Sequence, residues 1–153
     1  MTNSTPASGA AWKDRTAIDT MLDDMDVWAV VGLGGDPWRT AYSIAQELQQ
    51  HGKRIVPIHP SADGELRVLG ELVYGTLAEA AAAVGPIDVV DVFRRSEAAG
   101  EFADQAVRIG ARGVWFQMGV VDEAAYRRTR DAGLLMVMDV CPSREWFYRA
   151  QRA

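Results

Sequence analysis

The run VVGLGGDPWRTAY, Val30 to Tyr42, is an apolar stretch that feeds a cluster of glycines. Gly32, Gly34 and Gly35, with Leu33 among them, free the backbone for positive φ and for close approach to an anion, and a helix starting after them would add unpaired N–H groups. The chemistry this points to is phosphate binding; a turn that serves chain geometry alone is the competing reading. The third glycine of the dinucleotide fingerprint G-x-G-x-x-G is missing, and Asp36-Pro37 lengthens the loop. Arg39, followed by Thr40, places a charge-assisted donor at the helix entrance.

Further along, the strand RIVPI ends in His59-Pro60-Ser61. An NAD site calls for Asp or Glu about 20 residues past the glycines to hold the ribose hydroxyls, and none stands there. A neutral or partly protonated imidazole at His59 suits a ligand with an extra phosphate; alternatively it closes the strand end and bonds a neighbouring loop. The segment DVVDVFRRSE delivers Phe93 and Arg94 to a strand end, an aromatic face beside a guanidinium, suited to a purine and a phosphate, although Phe93 also reads as the last core side chain of its strand. VWFQMGV brings Gln117 and Gly119 to the same rim, with Trp115 in the core. Cys141, before Pro142, stands on or near the same rim and reads as a small buried residue closing the last strand or as a thiol within reach of the ligand.

These residues need a scaffold that gathers strand ends. The apolar runs Val27–Val31, Arg54–Ile58, Val89–Phe93, Gly113–Gln117 and Leu135–Asp139, with a shorter one at Leu72–Tyr74, alternate with helical patterns at Ala41–Gln50, Leu77–Val84, Glu97–Ile109 and Glu123–Ala132. Ile18, Met21, Leu22 and Met25 add a leading amphipathic helix. Gly52, Gly110 and Gly133 sit at helix C-termini, and Thr76, Ser96 and Asp122 at N-caps. Strands that are apolar throughout are covered on both faces. The pattern predicts an α/β fold: one Rossmann-like, doubly wound parallel sheet of five to six strands with helices on both faces. In such a sheet ligands settle beyond the C-terminal strand ends. Residues 1–12, rich in Thr, Ser and Ala, read as a disordered tail, and 13–153 as a single domain.

The chain has 153 residues and a net charge of −5, so its surface as a whole repels nucleic acid and anionic lipid. An anionic ligand must find a local basic cluster, for which Arg39, Lys53, Arg54, Arg94 and Arg95 are the candidates. One cysteine allows no internal disulfide and no multi-cysteine metal site. With no apolar run long enough to span a bilayer and no secretory h-region at its start, the expected location is the cytoplasm. Trp146, Phe147 and Tyr148 near the C-terminus offer a partner or self-association surface, or pack on the sheet.

As a set, the loop VGLGGDPWRTAY, the strand ending IHP, LGELVYGTL, DVVDVFRRSE, VWFQMGV and MDVCP resemble the small stand-alone CoA-binding proteins of bacteria, which are similar in fold to the CoA-binding domain of the succinyl-CoA synthetase alpha subunit. The resemblance runs from about Ala29 to Trp146. It implies coenzyme A or an acyl-CoA as ligand, with the glycine loop and Arg39 near phosphates and the His59-Pro60 and Phe93-Arg94 turns around the adenosine part. His59 stands where that family usually has Asn, and Thr40-Ala41 where Pro-Ser is common.

The two histidines, His51 and His59, do not sit on a late loop suited to phosphoryl relay, and Cys141 has no histidine near it in sequence. The expectation is therefore a non-catalytic CoA-binding module with no metal, with regulation as one use for it. An NAD(P)-dependent oxidoreductase or nucleotide-binding module, and a structural or assembly protein with a vestigial cleft, are the alternatives.

Overall fold

The computed structural model describes residues 9–152. A helical turn, α1 (Gly9–Trp12), leads into α2 (Arg15–Asp24), which Asp14 caps by accepting from the Ala17 N–H at 2.9 Å. Then follow β1 (Val27–Val31), α3 (Thr40–Gln50), β2 (Arg54–Ile58), a hairpin of β3 (Arg67–Val68) and β4 (Glu71–Leu72), and α4 (Leu77–Val84). The chain continues through β5 (Val89–Val92), α5 (Ser96–Arg108), β6 (Gly113–Phe116), α6 (Glu123–Asp131), β7 (Leu135–Val137) and α7 (Pro142–Arg152). The main sheet has five strands in the order β2-β1-β5-β6-β7, and every pair is parallel. This is the Rossmann-like sheet that the alternation of apolar runs predicts. The order reverses at β1, since the chain moves outward to β2 and returns to place β5 on the other side.

Side chains alternate along each strand, so the sheet serves two cores. Trp28, Val30, Val89, Trp115 and Val137 meet Ile18, Met21 and Leu22 of α2 and Ile44 and Leu48 of α3. Ala29, Val31, Val56, Val90, Val92, Val114 and Phe116 face Leu77 and Ala80 of α4, the alanines Ala99, Ala103 and Ala106 of α5, and Ala125 of α6. Small residues on α5 let that helix lie close to the middle strands. Both central tryptophans are fully buried, and each satisfies its indole N–H at 2.8 Å, Trp28 to the Met25 carbonyl and Trp115 to the Val140 carbonyl. Among the described residues no helix is long and apolar enough to cross a membrane.

Several boundaries differ from expectation, each for a local reason. Residues 1–8 of the expected tail lie outside the described residues, but Gly9–Trp12 are helical. The Trp12 carbonyl accepts from the Met138 N–H at 3.0 Å, and its ring meets Tyr126 edge-on. β7 stops at Val137 because Met138 has turned to that carbonyl and Asp139 takes φ +60°. The expected strand at Leu72–Tyr74 is split: Leu72 belongs to a hairpin whose turn residues Leu69 and Gly70 both have positive φ, and Tyr74 makes one parallel bridge to Ile58. Thr76 and Asp122 are N-caps as expected, whereas Ser96 is already helical and Arg95 holds the cap position. Pro142 opens α7, where the aromatic cluster had suggested a surface. Trp146 of that helix stacks on His51 at 3.8 Å, Arg149 binds Asp19 and Asp23 of α2, and Phe147 and Tyr148 stay exposed.

Among the described residues one carboxyl is wholly enclosed by the fold. Asp91, in the centre of β5 between Val30 and Trp115, is fully buried. Its Oδ1 accepts from the Gln117 side-chain amide, and its Oδ2 has no partner. Burial pushes the carboxyl from 3.8 up to about 8, opposed only by the Gln117 bond. The unfolded chain releases this proton near its ordinary value and the folded chain near 8, so between the two the folded state binds a proton that the unfolded state has lost. Stability therefore falls as pH rises through that window, by up to about 1.4 kcal/mol per pH unit. Asp91→Asn keeps the shape and removes the proton. Urea titrations from about pH 5 to about pH 8 are expected to show the variant gaining on the parent as pH rises, by a few kcal/mol at the upper end; parallel pH profiles would contradict the burial account.

Candidate functional site

The loop leaving β1 and the loop leaving β5 diverge at the point where strand order reverses, and a cleft of about 840 Å³ opens between them. Gly32 makes this meeting possible. It has φ +100°, and a Cβ on it would stand 2.9 Å from the Phe93 carbonyl oxygen. Gly34 and Gly35 do not take positive φ, contrary to expectation. Gly34 is needed for a different reason, because a Cβ there would lie 3.0 Å from the His59 ring, while Gly35 faces open space. Leu33, expected in the site, is 1% exposed and turns its side chain into the core.

Two helices begin at this cleft, and neither is capped by a side chain. Arg39 and Arg95 occupy the N-cap positions of α3 and α5 and make no side-chain cap bond, whereas α2, α4 and α6 are capped by Asp14, Thr76 and Asp122. The first N–H groups of a helix have no partner within it, and they carry the positive end of its dipole. Thr40 and Ala41 of α3 and the start of α5 thus turn open donors toward one cavity. Three guanidinium groups surround it. Arg39 is largely exposed and lies 3.8 Å from Asp36. Arg94 rests over the Phe102 ring at 5.9 Å, and Arg95 lines the same wall. Lys53 and Arg54, also basic candidates in the sequence, sit at the start of β2, on the opposite rim. Lys53 is buried there beside Asp26.

His59 reaches the cleft and also ties its own loop. Its Nδ1 accepts from the Ser61 N–H at 3.1 Å and lies 2.6 Å from the Ser61 hydroxyl, and the Nε2 side of the ring faces Gly34. With Nδ1 occupied as an acceptor, Nε2 is the ring nitrogen left to donate. Pro60 is exposed and does not line the cleft, in which Ser61 stands instead. Phe93 is half-buried: it packs against the core and also forms cleft wall.

Gln117 and Gly119 lie elsewhere on the rim, in a second cleft of about 600 Å³ beyond the ends of β5, β6 and β7. Thr40, Phe93, Arg94 and Arg95 line both clefts, so the two share a wall. Cys141, read as either a buried strand end or a rim thiol, is half-exposed and borders this second space. Gly119 is held from two sides: its N–H donates to Asp139 at 2.7 Å, and its carbonyl accepts from Ser96 Oγ at 3.4 Å. The Gly119 N–H, followed by Lys13 at 3.0 Å, holds the Asp139 carboxyl below its ordinary range. Ser96 Oγ also accepts from the Val121 N–H, which fastens the loop after β6 to the start of α5.

Sequence reasoning counted Arg95 only among the basic candidates and did not single out Ser61, Asp91 or Asp139 for the site. A signal existed for two of them: Asp91 interrupts the apolar run VVDV, and Arg95 completes a basic doublet. Asp139 and Ser61 act through loop hydrogen bonds that no residue spacing announces. Among the described residues there is no group of three or more His, Cys, Asp or Glu placed to hold a metal ion.

Comparison with known proteins bears on what this arrangement is. The profile of the CoA binding domain family matches residues 26–146. The uncharacterized protein YneT of Bacillus subtilis is 37% identical over 113 residues, 74% of this chain and 79% of that protein. A solved structure of a hypothetical protein from Pyrococcus horikoshii OT3 superposes with a TM-score of 0.76 at 28% identity, covering 95% of this chain and 96% of its own. The ID.343 structure from Thermus thermophilus gives 0.73 at 27% identity, covering 82% and 91%. The family match spans both clefts and every strand that forms them, and the chain belongs to the CoA binding domain family.

Proposed function

We propose that this protein binds coenzyme A or an acyl-CoA and holds it without transforming it, as a carrier or regulatory module. The observation that carries the reading is the pair of uncapped helix N-termini, α3 and α5, opening with Arg39, Arg94 and Arg95 onto one cleft. Coenzyme A has a diphosphate and a 3′-phosphate. A chain with a net charge of −5 can hold them only through a local concentration of donors such as this. Charge-assisted hydrogen bonds contribute about 1.5–3 kcal/mol each, so a few of them suffice for micromolar affinity after the entropy cost of binding. Family membership supports the choice of ligand. His59 at the end of β2, in place of an acid, disfavours NAD, and its free Nε2 is suited to a phosphate oxygen.

Coenzyme A is expected to bind more tightly than dephospho-coenzyme A in calorimetric titration, since the 3′-phosphate adds charge-assisted bonds; equal affinities would mean that this phosphate points into water. Arg39→Ala is expected to weaken coenzyme A binding by roughly tenfold or more. Its melting temperature should match the parent's, because the side chain is exposed. Unchanged affinity would assign Arg39 to the surface alone.

A further inference from the structure

The two clefts share a wall but differ in chemistry. The first is ringed by arginines and open helix N-termini. Beyond Phe93 the second is lined by Gln117, Met118, Val120 and Cys141, with Glu97 its one acid. A ligand that fits both has phosphates at one end and a neutral, partly apolar group at the other. Gln117 is 7% exposed, and its amide nitrogen is committed to the buried Asp91. That bond fixes the amide plane and leaves its oxygen as a pure acceptor, with no protein donor upon it among the described residues. Met118, which lines this cleft, is 46% exposed, a flexible apolar side chain outside both core clusters of the described residues. About 600 Å³ is far more than a lone thiol needs and lies within the range of pockets that enclose whole small ligands.

Resting on the CoA reading above, we propose that the second cleft seats the thioester end of an acyl-CoA, and that the natural ligand is acylated. The acyl chain lies against Phe93, Met118 and Val120. The Gln117 amide oxygen accepts from the amide N–H nearest the sulfur in the pantetheine arm. Asp91 is a positioning residue: it touches no ligand and acts by holding Gln117. The occupant is set by continuity with the first cleft, because a molecule anchored by its phosphates at Arg39 and the helix ends extends over Phe93 into this space.

Calorimetric titrations with coenzyme A, acetyl-CoA and butyryl-CoA test the assignment. Burial of apolar surface contributes about fourfold in affinity per methylene, so butyryl-CoA, with two methylenes and a methyl on its acyl carbon, is expected to bind at least about tenfold more tightly than coenzyme A. Met118→Asp, a change at an exposed position that leaves the fold intact, is expected to abolish the difference between the two ligands. Equal or weaker binding of butyryl-CoA beside measurable binding of coenzyme A would overturn the acyl assignment and leave the CoA reading standing. A preference that survives Met118→Asp would overturn the placement in the second cleft. Failure of all three ligands to bind would overturn the CoA reading itself.

Discussion

Because Gly32 has no side chain, the loop after β1 can lie against the end of β5; at its φ of +100° a Cβ would stand 2.9 Å from the Phe93 carbonyl oxygen. The rest of the cleft depends on that approach. It brings the start of α3 beside the start of α5, although the two helices follow strands on either side of the reversal in sheet order. Each start alone is an ordinary weak anion site. Together, without side-chain caps and with three arginines, they concentrate positive potential on a protein whose overall charge opposes it. Gly34 repeats the device on the other side, where the missing Cβ admits the His59 ring.

The sheet was legible in the sequence because its signal is strong and local. Val27–Val31 and Arg54–Ile58 are continuous apolar runs bounded by turn residues, and they are strands over those same residues. α4 likewise spans Leu77–Val84 as its pattern predicts. What the sequence concealed was set by contacts distant along the chain. The Trp12 carbonyl takes the Met138 N–H that would have extended β7, and Ser96 spends its hydroxyl on Gly119 and Val121 rather than on its own helix. The glycine cluster likewise announced its place, but not that only Gly32 needs positive φ. Nor could it show that Gln117 and Gly119 open a second cleft, since that follows from the strand order and not from spacing.

Asp91 and Gln117 set cost against use in the same pair. A carboxyl in the middle of the central strand, with one oxygen unpartnered, weakens the fold whenever it is ionised. A hydrophobic residue of similar size would pack there at no such cost. The pair does fix the Gln117 amide in the wall of the second cleft, and functional sites commonly retain such locally unfavourable groups.

The central claim is that one cleft gathers phosphates onto two helix N-termini. Amide chemical-shift mapping by NMR during a titration with coenzyme A tests it residue by residue. The account predicts the largest shifts at Gly32, Gly34, Thr40 and Ala41 and at Arg95, Ser96 and Glu97, with Lys53 and Arg54 on the opposite rim unmoved. Shifts centred on Lys53 and Arg54, or scattered over the surface without saturation, would contradict it.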